Sequence, residues 1–133
     1  MTLVVDASVA AKWVIAEPES ERAEDLRLAK ESLIAPTLIV AEVGNAVSKR
    51  AIRGIMSPAE AVDAVDTATG LLTALIPMEH LSTRAVEIAV KLRHPIYDCF
   101  YLALAQRENA AIVTADDRLL AAARKARIKA KRL

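Results

Sequence analysis

Short apolar runs that stop at a polar turn alternate along this chain with longer stretches whose apolar positions recur every three or four residues. "LVV" ends at Asp6 and predicts a buried strand, with a helix following from about Ser8. "SERAEDLRLAKES" predicts a charged surface helix, "LIAP" a second strand, and "TLIVAEVGNAVSKRAIRG" a long helix ending at Gly54. In "SPAEAVDAVDTATGLLTA", Ser57 is placed to cap, Pro58 takes the first helical position and Glu60 completes a capping box. "LIPM" reads as a third strand, "STRAVEIAVKLRH" as a helix that Pro95 breaks, and "IYDCFYLALAQREN" as the next helix. "AAIVT", "DDRLLAAARKA" and "IKAKRL" then give a strand, a helix and a closing strand. Short apolar strands separated by helices imply a parallel sheet covered on both faces, a three-layer α/β/α sandwich with a central short parallel sheet. No repeat or linker interrupts the pattern, so residues 1–133 read as a single domain.

Four acids break this pattern. Asp6 and Asp116 stand where an apolar strand gives way to a helix, and in a parallel sheet all such ends share one edge, the edge where open α/β sheets hold ligands. Glu42 interrupts an apolar stripe with Leu38 and Ile39 one turn before it. Asp98 does the same, with Tyr101 and Leu102 three and four residues ahead. A lone buried carboxylate costs several kcal/mol or holds a proton. Taken singly, Asp6 and Asp116 read as turn or helix caps, and Glu42 as an ion-pair partner of Lys49 or Arg50. Taken together, four acids converging on one pocket call for a cation, and hard oxygen ligands without accompanying His or Cys point to Mg²⁺ or Mn²⁺ rather than zinc. In "TADDRLL", Asp117 begins the helix, where its carboxylate faces the free backbone N–H groups.

Composition narrows the classes. The net charge is only +1, although "RKARIKAKRL" closes the chain with basic charges alone, so this is no uniformly basic nucleic-acid binder. A single Cys99 makes no internal disulfide, the N-terminus lacks a signal-peptide pattern, and apolar runs stop short of a membrane span. The expectation is a soluble cytoplasmic protein with no membrane association.

The stretches "VVDASVAAKW", "APTLIVAEVGNAV", "PIYDCFYLALA" and "AIVTADDRLL", in this order over essentially the whole chain, together resemble the PIN domain, and the small single-domain form is similar to the VapC ribonuclease toxins of toxin–antitoxin pairs. The resemblance puts the family's acidic quartet on Asp6, Glu42, Asp98 and Asp116. Asp6, Asp98 and Asp116 are then expected as metal ligands, with Ser8 and Thr114 as supporting hydroxyls and Asn45 and Asp117 as further supporting residues. It implies an Mg²⁺- or Mn²⁺-dependent endoribonuclease leaving 5′-phosphate and 3′-hydroxyl ends, with an RNA substrate and a VapB-like antitoxin as partner. The apolar surface of the helical hairpin from about Leu38 to Thr73 suits a homodimer. Two rival readings are a phosphoaspartate-type Mg²⁺ domain, which fits "DAS" poorly for want of paired acids, and a non-catalytic metal- or peptide-binding module.

Other chemistries have little support. The glycines Gly44, Gly54 and Gly70 form neither a P-loop nor a dinucleotide fingerprint. Ser8 lacks a nucleophile elbow, and His80 and His94 sit at helix boundaries that favour capping or exposure. Cys99 reads as a small core residue. Trp13, Tyr97, Phe100 and Tyr101 are too few for a base-stacking platform.

Overall fold

The structure, a computed structural model, describes residues 1–133. Five parallel strands, β1 (Thr2–Val5), β2 (Ser32–Pro36), β3 (Ala74–Ile76), β4 (Ala111–Thr114) and β5 (Ala130–Arg132), form one sheet in the order β3-β2-β1-β4-β5. The helices are α1 (Ala7–Ala10), α2 (Ser20–Leu28), α3 (Leu38–Ile52), α4 (Pro58–Gly70), α5 (Ser82–Leu92), α6 (Ile96–Glu108) and α7 (Asp117–Lys125), with 3₁₀ turns at Ala11–Trp13 and Met78–His80. All five strands and the sandwich expected from the sequence are present.

Alternation along the strands sends side chains to both faces. Val4, Ile34 and Ile112 join the main core with Ile39 and Val43 of α3, Leu102 of α6 and Leu119 of α7. Leu3, Val5, Leu33 and Val113 pack on the other face against Val9 and Ala23. A third cluster, with Ile15, Val47, Ala61 and Ala64, closes the α3–α4 hairpin.

Local signals set the helix ends. Ser57 and Glu60 form the expected reciprocal capping box, with Pro58 at the start of α4. At the end of α3 the Ile55 N–H reaches the Arg50 carbonyl and the Gly54 N–H the Ala51 carbonyl, at 3.0 Å each, with Gly54 left-handed at φ 74°. The predicted "SERAEDLRLAKES" helix stops earlier than its charge pattern suggests, at Leu28, because the chain must turn at left-handed Lys30 to enter β2. The sheet's winding reverses between β1 and β4. Their carboxyl ends flank the crevice where such sheets place ligands.

Candidate functional site

Asp6 follows β1 and is 6% exposed. Ser8 Oγ donates to its Oδ1 at 2.6 Å and Thr114 Oγ1 to its Oδ2 at 2.8 Å. Each hydroxyl in turn accepts a backbone N–H, Ser8 from Ala115 and Thr114 from Asp116, both at 2.9 Å. The sequence places a hydroxyl two residues after Asp6 and another at the end of β4, and the β1–β4 register, with Val5 opposite Val113, brings both onto one carboxylate. Burial is the chief cause that pushes the Asp6 carboxyl up to about 6; the hydroxyls oppose it and the charge of Asp116 adds to it.

Asp116 takes the N-cap position of α7, its Oδ1 accepting from the Arg118 N–H at 2.8 Å. Asp117 opens the helix as the sequence predicts, but the capping hydrogen bond to a free N–H is made by Asp116 instead. Asp117 is the first helical residue, its side chain is 86% exposed, and it faces Arg132 Nε at 3.4 Å. The cap needs an acceptor one residue outside the helix with extended backbone, and Asp116 has that conformation, at φ −97° and ψ 113°.

Glu42 comes in from α3. Neither Lys49 nor Arg50 meets it, since Arg50 pairs with Glu17 at 3.3 Å; the Tyr101 hydroxyl donates to Glu42 Oε1 at 2.6 Å instead. Burial raises the Glu42 pKa above the ordinary carboxylate value, the Tyr101 hydrogen bond works against the rise, and the charges of Asp98 and Asp116 add to it. Asp98, near the start of α6, is half-buried, and His94 Nε2 lies 2.6 Å from its Oδ2. The sequence favours a cap or an exposed position for His94; its side chain instead turns onto the acid four residues later and is 16% exposed.

Tyr101 and His94 are therefore the site's unforeseen members. The His–x₃–Asp spacing is legible in sequence; the Tyr101 partner lies 59 positions away and is not. Asn45 is exposed and lines a cleft of about 470 Å³ with Ser8, Lys12, Glu42 and Asp116. Lys12 is held there by Glu17 at 3.1 Å. Cys99 is buried, as expected of a core residue, and burial pushes its thiol up to about 11, so it is no ready nucleophile.

The donor set suits a hard cation, being carboxylate and hydroxyl oxygen. No three of the carboxylates stand together as a ready-made metal cage, so the convergence on one cation expected from the sequence is not closed in this structure. A cation here would draw the proton from Asp6 and offset the repulsion felt by Glu42.

An acid pair at the switch point of a five-stranded parallel sheet, with two further acids brought in by helices, defines a parallel α/β domain with an acidic ligand crevice. The family model for the PIN domain matches residues 3–125, and the chain belongs to that family. Within it the chain is of the VapC ribonuclease type. It is 31% identical to Ribonuclease VapC3 of Pyrobaculum aerophilum over 90% of this chain and 92% of that one. It is 32% identical to Ribonuclease VapC9 of Mycobacterium tuberculosis over 88% and 87%. The fold is also that of VapBC2 from Rickettsia felis bound to a DNA fragment from their promoter, with a TM-score of 0.72 at 17% identity over 100% of this chain and 99% of that one. No helix is long and apolar enough to cross a membrane.

Proposed function

We propose that residues 1–133 work as one Mg²⁺- or Mn²⁺-dependent endoribonuclease domain whose chemistry is carried by Asp6, Glu42, Asp98 and Asp116. The observation that carries this reading is the hydrogen-bonded line from Asp6 through Thr114 to Asp116 across the carboxyl ends of adjacent strands β1 and β4. Asp6, Asp98 and Asp116 are the residues to hold the metal. When bound, the metal supplies a water of lowered pKa and positive charge beside the phosphate. Ser8 and Thr114 fix the Asp6 carboxylate in place and keep both its oxygens aligned. Glu42, steadied by Tyr101 and held at a raised pKa, is suited to orient a water and accept its proton. Asn45, on the cleft wall, offers an amide to the substrate.

The same reading gives the protein a cytoplasmic setting, a VapB-like antitoxin that holds the nuclease in check, and a homodimer. A basic side chain from the antitoxin would meet the charge of the acidic cleft. The exposed Ile52, Ile55 and Val62 on the α3–α4 hairpin support an apolar contact between copies. The test is cleavage of RNA with Mg²⁺ and with EDTA, for the native protein and for Asp6→Asn. Cleavage confined to the native protein with metal is the expected result. Turnover that survives both EDTA and Asp6→Asn overturns the assignment.

A further inference from the structure

Away from the acids, two adjoining hollows of about 420 and 190 Å³ run between α5, α6 and α7 and share Leu92 and Lys125. Arg84, Lys91, Lys125 and Arg127 line the first, and Arg118, Lys125 and His94 the second; neither contains a carboxylate. In a chain of 18 bases and 17 acids this segregation is a property of the fold, not of the composition. We infer that this groove holds the phosphodiester backbone of the RNA strand whose scissile bond lies over the acidic cleft, an inference that rests on the proposed ribonuclease activity.

Elsewhere Lys12 and Arg50 pair with Glu17, Arg27 with Glu24, and Arg132 with Glu19 and Asp117. Seven other bases, Lys49 and Arg53 among them, also stand without an ion pair, so the groove is set apart by gathering its bases around one hollow rather than by their being unpaired. In the groove, Lys91, Arg118, Lys125 and Arg127 have no carboxylate within 4.0 Å, and only Arg84 is shared, with Glu87. Helix electrostatics account for part of this, because Lys91 and Lys125 lie in the last turns of α5 and α7, where a cation is favoured. They do not account for Arg84 and Arg118. Both occupy first turns, the end where the helix dipole disfavours positive charge; Arg84 is offset by Glu87 and Gln106, whereas Arg118 has no ion-pair partner and an anion bound in the groove would offset its placement.

The groove also ends at the acids. His94 touches Asp98 at 2.6 Å, and the Arg118 N–H binds Asp116 at 2.8 Å, so the residues that line its near end meet two of the four carboxylates. The closing basic run is divided by the fold: Lys125 and Arg127 enter the groove, while Arg132 is tied to Glu19. With only Ile88, Leu92 and alanines as apolar lining, the groove offers charge without a stacking surface. It recognises phosphates rather than bases, and its contribution is uniform across sequences.

The experiment measures fluorescence anisotropy of a labelled 12-nucleotide single-stranded RNA in EDTA, over a range of salt, for the native protein, Lys125→Ala/Arg127→Ala, Lys91→Ala and a control, Arg53→Ala. The double variant is expected to bind about tenfold more weakly and to lower the slope of log K against log salt by about 0.7 for each phosphate it no longer neutralises. The single variant is weakened less, and the control matches the native protein; melting temperatures confirm that all fold. With Mg²⁺ the double variant should raise KM for the same RNA at nearly unchanged kcat and leave hydrolysis of bis(p-nitrophenyl) phosphate, too small to reach the groove, unaltered. Affinity no weaker than that of Arg53→Ala overturns the groove assignment, and it does so too if an acidic protein segment proves to need these residues instead. If the native protein cleaves RNA while the variants keep its affinity, the groove fails and the nuclease stands. If the variants lose RNA affinity but the native protein cleaves nothing, the nuclease fails and the groove stands.

Discussion

The Tyr101 hydroxyl, on a side chain 1% exposed in α6, donates a 2.6 Å hydrogen bond to Glu42 on α3, so the core itself reaches up to hold one of the site's acids. The geometry explains why a tyrosine serves where the helix pattern asks only for an apolar residue. Its ring fills the interior, and its oxygen meets a carboxylate at the rim. Burial first, then the nearby Glu42 charge, keep the phenol far above its ordinary pKa, so it acts as a fixed donor at any working pH.

Tyr101→Phe isolates that bond. The ring packing survives, and removal of the hydrogen bond changes stability by about 1 kcal/mol. Glu42 is left without the one hydrogen bond that lowers its pKa, so it should hold its proton to higher pH and orient less well. Expected is a several-fold to tens-fold fall in kcat with RNA, with KM little changed, and an acidic limb of the pH–rate profile moved upward. A variant with native kcat and native pH profile would remove Glu42 orientation from the scheme.

Asp6 gives a pH signature. Its folded pKa of about 6 lies above the ordinary 3.8. Between those values the folded chain keeps a proton that the unfolded chain has released, so this group's contribution falls as pH rises through the window and is constant above it. The whole effect is about 3 kcal/mol at roughly 1.4 kcal/mol per unit. Asp6→Asn resembles the protonated form, and its amide can donate to one hydroxyl while Ser8 and Thr114, 3.3 Å apart, share a proton. In EDTA the variant's melting temperature should therefore match the native protein near pH 4 and exceed it at pH 7.5. Saturating Mg²⁺ should reverse the order at pH 7.5 by stabilising only the native chain. Parallel melting curves at all pH values, with no effect of Mg²⁺, would count against a buried ionisable ligand.

How far the sequence reveals the fold follows from the range of each signal. The α4 capping box and the β1 and β4 runs are written in neighbouring residues, so pattern and structure agree. β5 is less legible because "AKR" has no apolar alternation; it is a strand through its pairing with β4, Ala130 opposite Ile112. The four acids stand out as charges on apolar faces, and all four act on one another or on a common neighbour in the fold. Their supports are hidden, because Tyr101 looks like core in sequence and Arg50 looks like the natural partner of Glu42 until Glu17 takes it.

Gly54 is a smaller test of the same local logic. A Cβ added there meets nothing within 4 Å, so the only cost of Gly54→Ala is the left-handed backbone at φ 74°. Urea unfolding should show a destabilisation of about 1 kcal/mol with RNA cleavage unchanged. A neutral or stabilising result would mean that the turn after α3 relaxes to another conformation.

The neighbours Asp116 and Asp117 provide the sharpest separation of chemistry from folding. Asp116 caps α7 through one oxygen and joins the Asp6–Thr114 line through its N–H, while its charge raises the pKa of both Asp6 and Glu42. Asn caps as well as Asp, so Asp116→Asn keeps the helix start and should cost under about 0.5 kcal/mol. It removes one of the negative charges proposed to hold the metal, and cleavage should fall by orders of magnitude at saturating Mg²⁺. Asp117 is exposed, and its ion pair with Arg132 is duplicated by Glu19 on the same guanidinium. Exposed pairs of this kind contribute about 0–1 kcal/mol, so Asp117→Asn should lose little stability and retain most activity. Cleavage rates and melting temperatures of the two variants, measured side by side, decide the matter. Equal activity losses at equal stability would make Asp117 a second metal-side acid, and a reversed order would move the proposed chemistry from the cap residue to the first residue of α7.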